Sequence, residues 1–442
     1  MASDDVVKMD AIVVGGGPAG IAAAHTMAKA GMEVLVFERG EYAGSKNMGG
    51  LLYGSVLNGM IPEFYKKAPI ERPVSKRQIT YLGKERHAGL QFGADEWSEA
   101  PYNNTFIVWR SQFDRWFAKQ AEDAGANLLE SMVVEGLIYK GDGDSKKAVG
   151  VKLRGDEEFY ADTIILADGV NSIVTEEAVR ELGIKQGKTK QEFVVGVKEV
   201  ITLPQKTIED RFGLTENEGA ALDFFGAPFE GLVGGAFIYT AKDALHVGMA
   251  ANLETVKDSG LSPNEIMNKF KQYPLIKKYL RDGELREYSA HLIPEGGYNA
   301  IGELSGAGVM ITGDAAGLVN MSLYKEGTNH AMESGYLAAG IAVEAKAKND
   351  FSKTAFAKYD EKLRNSVAMR DMKKYKDLPF IMQNSPNLFS LYPEQAVRLM
   401  CDFFTVTAEP KKTIQKRAIK RFLKELPKGK FIRDVLRARK LI

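Results

Sequence analysis

Residues 10–38, DAIVVGGGPAGIAAAHTMAKAGMEVLVFE, decide the fold. Residues 11–14 read as a buried strand, Gly15 to Gly17 as a tight turn, and 19–30 as an alanine-rich helix that Gly31 ends. Residues 33–37 run apolar into a second parallel strand closing at Glu38, so the stretch is one βαβ unit of a doubly wound α/β sheet. In Gly15-x-Gly17-x-x-Gly20 the first glycine makes the turn, the second lets the backbone approach a pyrophosphate, and the third packs helix on strand. The phosphates then rest on the NH groups at the helix N-terminus. Glu38, 18 residues beyond Gly20, is placed to accept hydrogen bonds from an adenosine ribose.

Outward from this unit, residues 42–59 form a glycine-rich loop, and 74–102 show the short alternating pieces and turn residues of antiparallel strands. Residues 111–125 read as an amphipathic helix with Phe113, Trp116, Phe117, Gln120 and Ala121 on one side, followed by a strand over 126–139 and a hairpin turn at 141–144. Residues 160–166 make a strand ending in Ala167-Asp168-Gly169, and 192–248 turn β-branched, aromatic and turn-rich. Residues 308–312 return to the first style, an apolar strand before Gly313-Asp314, with a glycine-punctuated helix over 326–348. The nucleotide domain is therefore assembled from separated segments, and the last hundred residues read as helices punctuated by proline.

A chain of 442 residues is long enough for two or three domains, and 45% hydrophobic with 26% charged residues is an ordinary globular balance. One cysteine, Cys401, permits no internal disulfide and cannot supply the four thiolates of an iron–sulfur cluster. The N-terminal residues have no signal-peptide pattern, which points to the cytoplasm. The five histidines show no paired metal spacing, so no metal is expected, and no acid–base catalyst is assigned. Net charge is +1, but residues 411–442 hold 13 Lys and Arg against Glu425 and Asp434, a local +11 on a body of −10. Such an asymmetry suggests a docking surface.

The glycine triplet does not separate NAD from FAD; two further segments bear on it. Asp314, after an apolar strand, can hold a ribityl hydroxyl and orient the second phosphate, or serve as a helix cap. Arg110 opens the amphipathic helix within reach of a pyrophosphate, or sits on the surface in water. No second Gly-x-Gly-x-x-Gly occurs, so a dedicated nicotinamide domain is not expected and electrons come from a docked partner.

The set Gly15-Gly-Gly-Pro-Ala-Gly20, Arg110-x-x-Phe113-Asp114, Ala167-Asp168-Gly169-x-x-Ser172, Gly313-Asp314-Ala-Ala-Gly317 and Glu326-Gly327-x-x-x-Ala331-Met332-x-Ser334-Gly335 resembles the superfamily of geranylgeranyl reductases and electron-transfer-flavoprotein:quinone oxidoreductases. All are FAD proteins. Within it, the segments 44–50 and 292–298 are most similar to FixC or EtfC subunits. The resemblance implies an α/β chain with a discontinuous Rossmann-like FAD-binding domain (1–75, 105–175 and 290–348). Inserted into it is a mostly antiparallel β-sheet domain on the quinone side (76–104 and 176–289), and a helical C-terminal region with a basic tail follows (349–442).

It further implies that Gly15, Gly17, Pro18, Ala19 and Gly20 bind the FAD pyrophosphate non-covalently, with Glu38 on the ribose, Arg39 beside it and Val134 meeting adenine through its backbone. Ser45, Lys46, Asn47, Gly49, Gly50 and Arg110 join the site. Ala167, Asp168 and Gly169 mark its second segment, and Gly313 and Asp314 meet the ribityl and phosphate portion. Gly327, Thr328 and Asn329 open a helix whose positive end faces the flavin pyrimidine edge. The implied partners are electron transfer flavoprotein α and β subunits, a ferredoxin-like subunit holding the iron–sulfur cluster, a membrane quinone and the membrane surface, with no nucleic acid. The implied setting is the cytoplasmic face of the membrane, with electron bifurcation from NADH to ferredoxin and quinone in the assemblies it resembles.

Geranylgeranyl reductases commonly carry a cysteine in the loop that here reads Ser45-Lys-Asn-Met-Gly-Gly50, and its absence counts against a prenyl-lipid reductase, the rival enzyme. A rival of another class is a flavin-binding interaction subunit that transfers no electrons. The aromatic and methionine-rich stretch from Phe380 to Phe404 reads either as helical core or as a monotopic membrane contact and quinone entrance.

Overall fold

In the computed structural model, which describes residues 8–441, the chain forms two compact units. The first comprises Met1–Glu71 (described from Lys8), Asn104–Phe193 and Leu292–Lys376. The second comprises Arg72–Asn103, Val194–His291 and Asp377–Ile442.

At the heart of the first unit is a sheet in the order Ser305–Gly306, Val309–Ile311, Glu158–Leu166, Lys8–Val14, Val34–Phe37, Asn127–Leu129. Along this order all pairs are parallel except the first, and Lys147–Leu153 adds an antiparallel partner to Glu158–Leu166. The central strand is the first in sequence, with its chain neighbour Val34–Phe37 on one side and the distant Glu158–Leu166 on the other. That reversal of direction is the topological switch point at which such sheets bind ligands. Register makes the switch usable: Val14 pairs with both Phe37 and Leu166, and Leu166 with Ile311. Four strands therefore end level, and the residues that follow them share one edge.

Helix Pro18–Lys29 buries Ile21, Ala22, Ala23, Ala24 and Met27, small enough on most turns for another helix to cross closely. That helix is Thr328–Lys348: a Cβ at Gly335 would come within 2.0 Å of the Ala19 carbonyl oxygen. Helix Arg110–Asp123 buries Phe113, Phe117 and Ala121 of the expected face and leaves Trp116 and Gln120 half-buried; it also buries Ala118 and Asp114, which the pattern leaves outside. The strand expected over 126–139 divides into Asn127–Leu129 and Val134–Lys140. Ser131 at φ 61° turns the chain between them, so the first piece joins the parallel sheet and the second pairs with Lys147–Leu153.

The second unit is built on a sheet in the order Glu284–Pro294, Phe193–Thr202, Ala244–Asn252, Gly234–Thr240, Gly219–Gly226, Arg72–Leu82, with His87–Gly93 beside the last. Its hairpin neighbours are antiparallel, while Gly219–Gly226 and Arg72–Leu82 pair parallel across a long sequence gap. Helix Pro263–Gln272, opened by a Ser262–Glu265 capping box, buries Ile266, Met267 and Phe270. Arg72 is fully buried; it donates to the carbonyls of Thr215, Glu216, Glu218 and Ala241 and pairs with Glu209 at 2.9 Å.

The C-terminal helices do not form one region, because residues up to Lys376 belong to the first unit and those after it to the second. Tyr359 of helix Lys353–Arg364 is buried with its hydroxyl donating to the Ile311 carbonyl at 2.8 Å, which ties that helix to the parallel sheet. Helices Lys411–Glu425 and Lys428–Ala438 each bury one residue, Ala418 and Asp434. Among the described residues no helix is long and apolar enough to cross a membrane.

Candidate functional site

The level strand ends bring Gly15, Glu38, Ala167 and Thr312 to one edge of the parallel sheet. Gly15 stands at φ 108°, and a Cβ there would strike the Ala167 carbonyl oxygen at 2.2 Å. A Cβ at Gly20 would lie 1.9 Å from the Gly15 carbonyl oxygen, so helix and turn touch backbone to backbone. Gly17 differs: a Cβ there meets nothing within 4 Å. The turn is thus packed behind and bare in front. Gly17 caps the helix without a side-chain hydrogen bond, Pro18 occupies the first turn, and no acidic residue stands in it. The NH groups of Ala19 and Gly20 precede the first intrahelical bond, from Ile21 to Gly17, and an uncapped helix start of this kind binds anions.

Glu38 is half-buried and accepts from Gly16 NH at 2.8 Å and Gly40 NH at 2.5 Å, which aims its carboxylate at the mouth of the turn. Segment 129–132 closes that end, with Met132 NH donating to the Glu38 carbonyl and Ser131 NH to that of Gly40. Val134 lies beyond this contact and its backbone is paired with Leu153. Arg39 is exposed.

Arg110 is locked by a bidentate pair with Asp114, Nε to Oδ1 at 2.8 Å and Nη2 to Oδ2 at 2.7 Å. Burial disfavours the guanidinium charge and Asp114 more than restores it. A buried Asp one turn along explains the irregular face of this helix. Gly44, at φ 87°, lets the preceding loop lie on the pair, since a Cβ there would come within 2.6 Å of the Asp114 Cβ. The same loop carries Ser45, Lys46 and Asn47 and is closed by Ser45 NH to Tyr42 O and Asn47 NH to Gly44 O. Gly49 and Gly50 begin a strand paired with Thr105–Trp109. Glu130, which the sequence did not single out, accepts from Ala43 NH at 2.9 Å and anchors the loop from the other side.

Ala167 donates its NH to Val14 O, continuing the parallel ladder into the turn. The Asp168 carboxylate is committed internally, accepting from Val174 NH, Thr175 NH and Thr175 Oγ1. Burial pushes its carboxyl up, against the pull of those hydrogen bonds. It shapes the loop through Gly169 at φ 74° and caps helix Ile173–Glu181.

Gly313, at φ 65°, puts its α-carbon face against Ala19, and its NH donates to the buried Ser334 Oγ. The Asp314 carboxylate accepts no hydrogen bond among the described residues. Burial pushes it above the usual carboxylate range, and Arg110 pulls it back. Gly327 caps helix Thr328–Lys348, again with no side-chain hydrogen bond. Asn329 is buried: its Oδ1 accepts from Val56 NH at 3.2 Å and its Nδ2 donates to Glu326 at 2.9 Å. Asn320, Glu326 and His330 join Asn329 at this helix start. Sequence assigned no role to Asn320, Glu326 or His330; Glu326 and His330 stand one helical turn apart, and Asn320 arrives through its bridge to Glu326.

Taken as a container for FAD, the donor set fits: a bare glycine turn at an uncapped helix, a carboxylate at the end of the neighbouring strand, a carboxylate without a hydrogen-bond partner, and a second helix start without a side-chain cap. Among the described residues no group of three or more His, Cys, Asp or Glu is arranged to hold a metal ion.

Comparison with known proteins agrees in its separate parts. An FAD binding domain matches residues 8–215, an ETF-QO ubiquinone-binding domain matches 193–293, and the ETF-QO/FixC family C-terminal domain matches 378–442. The probable electron transfer flavoprotein-quinone oxidoreductase YdiS of Escherichia coli is 41% identical over 94% of both chains. Protein FixC of Bradyrhizobium diazoefficiens is 38% identical over 94% of this chain and 95% of its own. Among solved structures, a geranylgeranyl bacteriochlorophyll reductase-like protein from Thermoplasma acidophilum matches with TM-score 0.72 over 99% of this chain and 100% of its own. The flavin-dependent brominase Bmp2 matches at 0.61 over 95% and 100%. At 21% and 17% identity these two share the fold. The chain belongs to the electron transfer flavoprotein–quinone oxidoreductase/FixC family and is an FAD-dependent oxidoreductase of that type.

Proposed function

We propose that the chain is the quinone-side subunit of an electron transfer flavoprotein complex, taking electrons from companion α and β subunits and delivering them to a membrane quinone. The observation that carries this is the co-occurrence, in one chain, of a complete dinucleotide cradle and the ubiquinone-binding match over 193–293. Bound FAD would supply the capacity to accept and release electrons. The residues supply its placement. Gly17 leaves room for the pyrophosphate, and the NH groups of Ala19 and Gly20 donate to it. Glu38 accepts from the ribose, and Asp314 accepts from a ribityl hydroxyl. Gly313 and Gly335 let the phosphate turn and the second turn of helix Thr328–Lys348 pack against Ala19 at the start of the first helix. The start at Gly327 would face the pyrimidine edge of bound flavin, where its dipole would favour negative charge.

A ferredoxin-like partner supplies the iron–sulfur cluster, since Cys401 is the one cysteine of the chain. Electron bifurcation from NADH is the further proposal for the assembled complex, with the basic residues of 411–442 meeting anionic lipid or an acidic subunit. The test is quinone reduction by the purified complex, driven by reduced electron transfer flavoprotein. Turnover should need the companion subunits, and iron should appear with the ferredoxin-like partner and stay near zero in the isolated chain. Saturation of prenyl double bonds by the isolated chain, or a stoichiometric cluster bound to it, would overturn the reading.

A further inference from the structure

The start of helix Thr328–Lys348 is not electrically bare. Glu326 stands directly before the capping Gly327, held there by two backbone hydrogen bonds with Asn320, at 2.8 Å and 3.0 Å. Its carboxylate is mostly buried, with one oxygen accepting from Asn329 Nδ2 at 2.9 Å and the other 3.4 Å from His330 Nε2. His330 is almost wholly buried, and its Nδ1 has no hydrogen-bond partner. Facing a carboxylate, Nε2 must carry hydrogen, because a lone pair there would repel the carboxylate oxygen. Burial pushes the Glu326 carboxyl up, and His330 and Asn329 more than offset that, leaving it below its ordinary value and ionised at neutral pH.

A buried carboxylate is costly to keep charged, and here one is kept charged at a helix end that would already welcome an anion. We infer that the Glu326 carboxylate, anchored by Asn329 and His330, lowers the reduction potential of the flavin by offsetting the positive end of helix Thr328–Lys348. The inference rests on the proposed placement of that helix start against the pyrimidine edge. Reduction adds negative charge to the flavin ring, and a fixed anion nearby in a low-dielectric surrounding opposes it. Glu326 is thus a charge that sets driving force and takes no part in bond making. A chain that passes electrons to a quinone, and not back, gains from a more reducing flavin.

The experiment is a spectroelectrochemical titration of the FAD in the purified flavin-loaded chain. Glu326→Gln keeps the shape and one acceptor oxygen and removes the charge. It should raise the midpoint potential enough to change the reduced-to-oxidised ratio about tenfold at fixed applied potential, about 30 mV for a two-electron couple. Glu326→Asp, which keeps the charge, should stay near wild type, a rescue that a purely structural role would not show. Glu326→Ser is a second neutral replacement, read the same way if the Gln variant fails to fold. Thr328→Asp adds a carboxylate at the same helix start and separates the two ideas. If Thr328→Asp lowers the potential or sheds FAD while Glu326→Gln and Glu326→Ser leave the potential unmoved, the helix faces the flavin and the role of Glu326 is overturned. If all of these leave both potential and FAD content unmoved, the placement of the helix start is wrong and the inference falls with it.

Discussion

Gly15 and Gly17 lack a side chain for opposite reasons. Gly15 is enclosed, with φ 108° and the Ala167 carbonyl oxygen where a Cβ would stand, whereas the space in front of Gly17 is open. Gly15→Ala should therefore destabilise the protein by about 2 kcal/mol or more, through strain and clash together. Gly17→Val should leave the FAD-free melting temperature within a few degrees of wild type and reduce bound FAD to less than about a tenth, because its side chain fills the phosphate space. Thermal melts and the ratio of flavin to protein absorbance separate the two, and a Val variant with stoichiometric FAD would remove the cradle assignment. Asp314 makes a pH prediction. Its folded-state pKa is raised, by burial first and against Arg110, so the folded chain is not penalised below the unfolded value of about 3.9 and loses stability as pH rises through the folded value. FAD-free Asp314→Asn should match wild type near pH 3.5 and exceed it at pH 7 in urea midpoint, while binding FAD more weakly. A wild type more stable than the variant at pH 7 would show that the carboxylate has a protein partner.

At the scale of elements, the decisive contact is the crossing of helices Pro18–Lys29 and Thr328–Lys348. Gly335 brings the second helix against the Ala19 carbonyl, and Ser334, accepting from Gly313 NH and donating to Ala331 O, fixes the phosphate turn to the same helix. Adding one methyl at Gly335 forces two backbones apart, so Gly335→Ala should cost about 2–3 kcal/mol in unfolding free energy, read from urea titration. A cost below about 0.5 kcal/mol would mean that the helices part easily. The βαβ unit was legible because apolar periodicity and turn chemistry are local. The division of the 126–139 strand was less so: Ser131 adopts a left-handed conformation that its residue type does not require, imposed by its NH reaching Gly40 O. Asp168 likewise reads as a cofactor residue by motif, and only the fold of the next seven residues turns its carboxylate inward.

For the whole molecule, the open question is what meets the C-terminal helices. Phe380, Met400, Phe404, Ile419, Leu423, Ile432 and Leu436 are exposed, so most of this region is not the core of its unit. Large apolar side chains beside a +11 charge match an interfacial surface, with lysine and arginine contributing roughly 1 kcal/mol each near an anionic leaflet. Flotation of the assembled complex on anionic, quinone-containing liposomes tests this. Deleting residues 411–442 should abolish the salt-sensitive part of binding, and changing Phe380, Met400 and Phe404 to Ser should abolish the part that survives high salt. Failure of the wild-type complex to float at any salt would rule out the membrane and leave a protein partner as the occupant. Intact flotation with loss of the ferredoxin-like subunit on deletion would make the tail a protein dock.

Sequence by itself determined the βαβ start, the glycine turn, the acid at the end of the second strand and the family, because each rests on neighbours within a few residues or on motifs read one at a time. Only the tertiary structure decided how those motifs meet. The register that aligns Val14, Phe37, Leu166 and Ile311 brings segments hundreds of residues apart to one edge, and no local periodicity encodes it. It also decided which polar groups stay available. Asp114 and Asp168 are taken up by internal partners, Asp314 is left without one, and Glu326 is kept charged by Asn329 and His330. A side chain's chemistry is written in the sequence; whether that chemistry is satisfied inside the fold or left for a ligand depends on what the chain packs around it.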